Sequence, residues 1–185
     1  GVVDTGIVAG NSVFAAGQVS ISRSSCAAVT FRCANGVADD NGHGTAVAAI
    51  AAANGRMPFA VNYGGYVTPA GSVIGVAPNA NIVAEKVLSA AGSGYSTDVA
   101  NGLIKAANAG ASVINLSLTF GNTPDLVAAI NYAASKGAFI VWAGGNSATK
   151  LLGGASTSGL SAAASMAHVA ASGPAMSCRD EPNSA

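Results

Sequence analysis

Short apolar runs alternate along this chain with longer segments in which apolar residues recur every three or four positions. The runs GVVDTG, ANIVAEKVL, ASVINLSL and AFIVWAGGN predict short buried strands. Strands that are nearly continuously apolar and separated by amphipathic helices are typical of a parallel sheet covered on both faces. The pattern therefore predicts an α/β fold of three layers, with a mostly parallel sheet between helices.

Three segments between these strands carry helix signals. They are the alanine-rich residues 45–53, a segment capped by Ser96 or Thr97 and ended by Gly110, and a segment capped by Thr123 and ended by Gly137. The last is the clearest, because Pro124 suits the first helical position and Asp125 faces the positive end of the helix dipole.

Composition narrows the possible functions. The chain has 185 residues, enough for one domain with a sizeable core, and 9% of them are charged, against roughly 25% in an average soluble domain. Eight basic residues balance eight acidic ones without a basic patch, which argues against a nucleic-acid partner. The longest apolar run, residues 46–53, is far shorter than the roughly 20 residues that span a bilayer, so no membrane span is expected.

The cysteines suggest a cellular compartment. Cys26 and Cys33 are close enough in sequence to close a small loop, whereas Cys178 stands alone near the end. A disulfide between the first two would suit an extracellular protein, and two unpaired thiols are the alternative. No signal peptide is recognisable, as expected for either a processed secreted enzyme or an excised fragment.

Polar residues follow the predicted strands, and in open α/β sheets sites form at the carboxyl ends of strands. These residues are Asp4, Ser93 with Gly94, Ser117, and Asn146. His43 lies at the start of the first predicted helix, beside the same edge. An acid, a base and an amide donor that converge there would suit acyl transfer, in which the carboxylate orients the imidazole and the amide stabilises an oxyanion.

Four motifs carry a resemblance. VVDTGI, NGHGTAV, VINLSL and VWAGGNS resemble, in this order, signatures of the subtilisin-like serine proteases, across about residues 1–148. The resemblance implies a secreted serine endopeptidase that needs no cofactor and cleaves extended peptide or protein substrates. It also implies that Asp4 orients the imidazole, that His43 is the general base, and that Asn146 donates to the oxyanion.

The resemblance extends to substrate binding. AGSG and LSLTF are similar to the family's two edge segments that pair with an extended peptide, and residues 142–145 resemble one wall of its primary specificity pocket. The residues assigned in this way are Ser93, Gly94, Ser117, Leu118, Trp142, Ala143 and Gly144. The sequence leaves open whether Trp142 is a pocket wall or a core residue. Thr119 and Phe120 replace a typical pair of small residues and are expected to reshape substrate access.

The nucleophile departs most from the family pattern. Ser165, in AAASMAHVAAS, lacks the usual preceding Gly-Thr pair and the proline, and it lies only 19 residues after Asn146. Either Ser165 is a degenerate nucleophile, or this segment corresponds to the strand that follows Asn146 and the chain stops before the serine. We therefore divide the chain into a subtilisin-like catalytic core, residues 1–150, and a divergent or truncated segment, residues 151–185.

Other functions fit the sequence less well. A noncatalytic subtilase-like domain that binds peptides is the main alternative. A nucleotide site at Gly92-x-Gly94 lacks its third glycine, because Thr97 occupies that position. Two histidines 125 positions apart form no zinc-ligand spacing, and the predicted loop 55–72 has no carboxylate for calcium, so no metal is expected.

Overall fold

A computed structural model describes residues 1–33, 36–54, 73–121 and 123–143, together with the backbone of two short strands within residues 61–68. Three of the candidate site residues, Gly144, Asn146 and Ser165, lie outside the described residues, as does Cys178.

The described elements alternate between strand and helix along most of the chain. In order they are β1 (Val2–Asp4), β2 (Ser25–Cys26), α1 (His43–Ala52), β3 (Val61–Tyr63), β4 (Tyr66–Thr68), β5 (Ala84–Lys86), α2 (Ser96–Asn108), β6 (Val113–Leu116), α3 (Pro124–Ser135) and β7 (Phe139–Trp142). Five strands form one sheet in the order β2-β5-β1-β6-β7, and each neighbouring pair is parallel. The four predicted strands and three predicted helices are thus present, with shorter strands than the apolar runs suggested.

Helices cover both faces of the sheet. Successive strand residues point to opposite faces, and Val2 packs in a cluster with Ala48 and Ala52 of α1, whereas Val3 packs with residues of α2 and α3 such as Leu103. The expected three-layer α/β fold is therefore confirmed, with α1 on one face and α2 and α3 on the other.

The helix ends differ in detail from the predictions. Helix α1 begins at His43, two residues before the predicted start, because side chains of Asn41 and Thr5 accept the backbone N–H groups of His43 and Gly44. The prediction that Ser96 or Thr97 caps α2 is wrong: extended Tyr95 occupies that position, and its carbonyl accepts the backbone N–H of Asp98. Thr123 does occupy the N-cap position of α3, although its hydroxyl makes no capping hydrogen bond.

The sequence did not predict strand β2 or the segment that follows it, residues 27–33, which we call the strap. Cys26 and Cys33 form a disulfide with a Cα–Cα distance of 6.0 Å, which confirms the expected pairing. Helix α2 holds the strap from the side: the buried carboxylate of Asp98 accepts hydrogen bonds from the backbone of Val29 and Thr30. The antiparallel pair β3–β4 was also missed, because it lies in the segment 55–72 predicted as a loop.

Candidate active site

The site centres on a contact between Asp4 and His43. Asp4 is the last residue of β1, and His43 is the first residue of α1, which packs beside that strand. The imidazole Nδ1 lies 2.8 Å from Asp4 Oδ1. The carboxylate is fully buried, whereas the side chain of His43 is 49% exposed. The expected hydrogen-bond approach of these two side chains is therefore present.

The carboxylate of Asp4 is fixed by its own strand end. Its Oδ1 also accepts the backbone N–H of Thr5 at 2.7 Å. Its main-chain carbonyl accepts the backbone N–H groups of Val87 and Leu88, which follow the neighbouring strand β5. Oδ2 is buried and accepts no hydrogen bond from the described part of the chain. Among the described residues, His43 is therefore the one side chain that hydrogen-bonds to this carboxylate.

The glycine after the histidine lets α1 approach β1 closely. A Cβ atom at Gly44 would lie 2.2 Å from the carbonyl oxygen of Gly6, so no other residue fits without displacing backbone. The Gly44 backbone N–H donates to Thr5 Oγ1 at 2.9 Å, and the His43 N–H donates to Asn41 Oδ1 at 3.2 Å. The motif NGHGT thus encodes a helix start pressed against the turn that carries the acid.

Asp39 organises the loop before this helix start. One carboxylate oxygen accepts hydrogen bonds from the Thr5 hydroxyl and the Gly42 backbone, and the other accepts from the backbone and hydroxyl of Thr45. Burial alone would raise the pKa of Asp39, but these hydrogen bonds outweigh it and lower the pKa to about 2. Asp39 is therefore ionised at neutral pH and holds the turn after Asp4 and the first turn of α1 together.

A cavity of about 800 Å³ opens beside His43. Its walls come from the segment after β5 and the segment after β6, and they are residues 92–96, 117–121, Thr5, Asn41, Leu88, Val99 and Ala143. The structure therefore brings five of the sequence-derived substrate residues to one cleft, namely Ser93, Gly94, Ser117, Leu118 and Ala143. The same cleft contains His43.

Residues 89–94, which lead into one wall of the cleft, form a compact turn. The Ser89 backbone and hydroxyl both donate to the Ser93 carbonyl, and Asn41 Nδ2 reaches across to the Ala90 carbonyl at 2.9 Å. A Cβ atom at Gly94 would lie 2.4 Å from the Val87 carbonyl, which requires glycine there. The loop that carries His43 and this wall of the cleft are therefore joined directly.

The side chain of Trp142 lies in the core and does not line the cleft. Its side chain is 2% exposed in the core beside α2 and α3, and its ring centroid lies 6.2 Å from that of Phe120, which does line the cleft. Of the two positions that the sequence left open for Trp142, the core is where its side chain lies. Phe120 thus connects the cleft to the core.

Sequence reasoning missed the polar groups beneath the site. Asp39 and Asp40 directly precede NGHGT, and Lys86 lies in the apolar run ANIVAEKVL. A charge within a strand predicted to be buried on both faces is itself a signal, because charged side chains are rarely buried without a partner. Lys86 does have partners, which are Asp40 and two backbone carbonyls.

The described residues contain neither a metal-binding cluster nor a membrane-spanning helix. They contain no group of three or more histidine, cysteine, aspartate or glutamate side chains arranged to hold a metal ion. None of the helices described is both long enough and apolar enough to cross a membrane.

A parallel α/β domain with a buried aspartate against a half-exposed histidine, at the carboxyl edge of the sheet, has the acid–base arrangement of acyl-transfer enzymes. The chain belongs to the subtilase family, whose model matches residues 1–176.

Curated relatives agree with this membership. The chain is 45% identical over 108 residues to thermitase from Thermoactinomyces vulgaris, a match that covers 57% of this chain and 34% of the relative. It is 43% identical over 109 residues to a thermophilic serine proteinase from Bacillus sp. strain AK1, covering 58% of this chain and 24% of the relative. These matches thus span about a quarter to a third of the length of the relatives.

Solved structures share the fold. The S41 psychrophilic protease superposes with a TM-score of 0.60 at 34% identity, covering 80% of this chain and 46% of that one. Sphericase superposes with a TM-score of 0.57 at 32% identity, covering 79% of this chain and 46% of that one. The fold of the described part is therefore subtilisin-like.

Proposed function

We propose that this chain provides the acid, the base and the peptide cleft of a secreted subtilisin-type serine endopeptidase. The observation that carries the proposal is the 2.8 Å contact between Asp4 and His43 beside an 800 Å³ cleft. Membership of the subtilase family and the relatives named as proteinases support it.

The proposed chemistry follows from the direction of this contact. With Nδ1 donating to Asp4, the neutral imidazole of His43 has Nε2 free to accept a proton from a serine hydroxyl. The serine oxygen then attacks the substrate carbonyl, and the buried carboxylate stabilises the imidazolium that forms. In this proposal the side-chain amide of Asn146 donates to the oxyanion, and Ser165 is the candidate nucleophile. No cofactor takes part.

An extended peptide is the proposed substrate. The two walls at residues 92–96 and 117–121 face a common cleft, and an extended peptide can pair with such segments through its backbone. Leu88, Val99 and Leu118 offer apolar surface for a substrate side chain. Gly144 and the backbone near Trp142 complete the proposed primary pocket. The Cys26–Cys33 disulfide supports an extracellular location.

The alternative is a noncatalytic subtilase-like chain that binds extended peptides without cleaving them. The sequence around Ser165 favours it, because the Gly-Thr pair and the proline of the usual nucleophile motif are absent. The proposed division into a core, residues 1–150, and a divergent segment, residues 151–185, belongs to the same question.

A fluorophosphonate probe separates the two. We expect the probe to label one serine of an active chain, which peptide mass mapping identifies, and His43→Ala to slow labelling by at least about 100-fold. Ser165→Ala abolishes labelling if Ser165 is the nucleophile, and exposed Ser135→Ala is the matched control that changes nothing. A folded chain without any label contradicts the peptidase proposal for this chain.

Peptide binding gives the second measurement. Trp142 is the single tryptophan, and its neighbour Phe120 lines the cleft, so its fluorescence reports on ligands there. A fluorescence change with an extended peptide, in a chain that the probe does not label, supports the noncatalytic alternative. Absence of both responses contradicts both functions.

A further inference from the structure

Lys86 is a buried cation directly beside the candidate acid. It is the last residue of β5, and the strand register pairs it with Asp4 of β1. Its side chain is only 2% exposed. Residues paired in neighbouring strands point to the same face of the sheet, so Lys86 and Asp4 share the face on which α1 presents His43. None of the chemistry proposed above uses this charge.

All three N–H groups of the ammonium have acceptors. Lys86 Nζ donates to the carbonyl oxygens of Thr5 and Leu88, at 2.5 and 2.9 Å, and to Asp40 Oδ1 at 2.6 Å. Thr5 directly follows the acid, Asp40 lies in the loop that leads to His43, and Leu88 lines the cleft. One side chain therefore ties together the three segments that meet at the site.

Burying a lysine side chain is energetically unfavourable compared with burying an apolar one. Removing an ammonium group from water costs several kcal/mol, and an apolar side chain of similar volume often stabilises a fold as well or better. The contribution of Lys86 therefore lies in how its hydrogen bonds fix the relative positions of the segments at the site. A methionine could fill the same volume, but it would remove the donor that Lys86 gives to the carbonyls of Thr5 and Leu88, and the turn after Asp4 would lose one of its anchors.

We propose that Lys86 is a positioning residue for the Asp4–His43 pair. Its ammonium group fixes the turn after β1 against the loop before α1, so that the carboxylate and Nδ1 of the imidazole stay in contact. The proposal concerns the site of the proposed function, but its test reads the geometry of the pair and needs no peptidase activity. A chain that cleaves nothing can still confirm it.

Histidine tautomers measure that geometry. The hydrogen bond at one ring nitrogen decides which nitrogen is protonated in the neutral ring, so contact with Asp4 selects the Nδ1–H form. With two histidines in the chain, ¹⁵N NMR of the full 185-residue protein resolves His43 once a His168→Gln variant has assigned the other. We expect Lys86→Met to lower the ratio of Nδ1–H to Nε2–H at His43 by about fivefold or more.

A second lysine provides the matched control. Lys105 on α2 is partly buried and donates to the Cys26 carbonyl at 3.3 Å, on the opposite face of the sheet. Lys105→Met should leave the tautomer ratio of His43 unchanged, even where it lowers the melting temperature. An unchanged ratio in folded Lys86→Met, or an equal change in both variants, overturns the proposal.

A milder variant covers the case in which Lys86→Met does not fold. Asp40 is 40% exposed, so Asp40→Ala should fold while removing one of the three acceptors of the ammonium group. We expect a smaller fall in the same ratio, about twofold. If the ratio of folded Asp40→Ala equals that of the unmodified chain while Lys86→Met fails to fold, Lys86 is a structural residue only and the proposal is overturned.

Discussion

The two faces of strand β5 each bury one charged side chain, and the two side chains differ in how completely they are hydrogen-bonded. Lys86 faces the layer of α1 and gives each of its three N–H groups an acceptor. Glu85, one residue earlier, faces α2, where Oε2 accepts a hydrogen bond from Ser25 and buried Oε1 accepts none from the described residues. Burial raises the pKa of Glu85 to about 7, although the hydrogen bond from Ser25 and the charge of Lys105 act in the other direction.

The carboxylates of Asp98, within α2, and of Glu85, which faces α2, show the same contrast. Asp98 is as buried as Glu85 but receives hydrogen bonds from two backbone groups and the Thr30 hydroxyl. A buried polar group with all its partners fixes neighbouring segments, and one without them mainly costs free energy. Removing a buried polar group that has all its hydrogen-bond partners should therefore destabilise the chain, and removing one that lacks them should not.

Asp98→Ala should have the largest effect on stability. The substitution removes a buried carboxylate that accepts hydrogen bonds from the backbone of Val29 and Thr30 and from the Thr30 hydroxyl, and we expect it to lower the free energy of unfolding by about 3 kcal/mol. Urea denaturation followed by circular dichroism measures the change. The control is Asp125→Ala in the first turn of α3, which should cost only about 0.5 kcal/mol through the helix dipole. Equal losses in the two variants would contradict the contrast.

Glu85→Gln should stabilise the chain at high pH. A carboxyl group whose pKa is about 7 when folded and 4.5 when unfolded binds more protons in the folded state, so its contribution to stability falls as the pH rises between those values. We expect the variant to gain roughly 2 kcal/mol on the unmodified chain between pH 5 and pH 8. The measurement is the difference between their unfolding free energies across this pH range.

A counter-variant sharpens this prediction. Lys105 lowers the pKa of Glu85 through its charge, so Lys105→Met should raise that pKa further and extend the loss of stability to higher pH. If the unmodified chain and Glu85→Gln have parallel stability profiles from pH 5 to pH 8, Glu85 is not the buried titrating group that we describe.

The sequence predicted the sheet and its helices because their patterns are local. Apolar runs such as ASVINLSL and end signals such as Pro124 and Gly137 act within a few residues, and the corresponding elements are present. The contact of Asp4 with His43 was also expected, although 39 positions separate them, because the resemblance supplied the pairing. Periodicity alone placed both residues only near one edge of the sheet.

Contacts between distant segments could not be predicted from the sequence. Strand β2 has two residues, and the bonds that define the strap come from Asp98, about 70 positions later. Lys86 and Asp40 carry no motif that links them. The register of β5 with β1 places Lys86 beside Asp4, and the loop before α1 brings Asp40 to the ammonium group. A pattern along the chain shows which residues are buried, but it does not show which partners a buried charge will find.

Thr123→Ala should have the smallest effect, although the sequence marks Thr123 as a helix cap. A capping threonine usually contributes about 1 kcal/mol, but the hydroxyl of Thr123 makes no capping hydrogen bond and is buried without a partner among the described residues. We therefore expect the substitution to change the free energy of unfolding by less than about 0.5 kcal/mol. Thr45→Ala is the matched control, because the Thr45 hydroxyl donates to Asp39 and accepts the Val8 backbone N–H, and it should cost about 1 to 2 kcal/mol. A loss at Thr123 as large as that at Thr45 would show that position in the sequence, rather than the bonds made, sets the value of a buried hydroxyl.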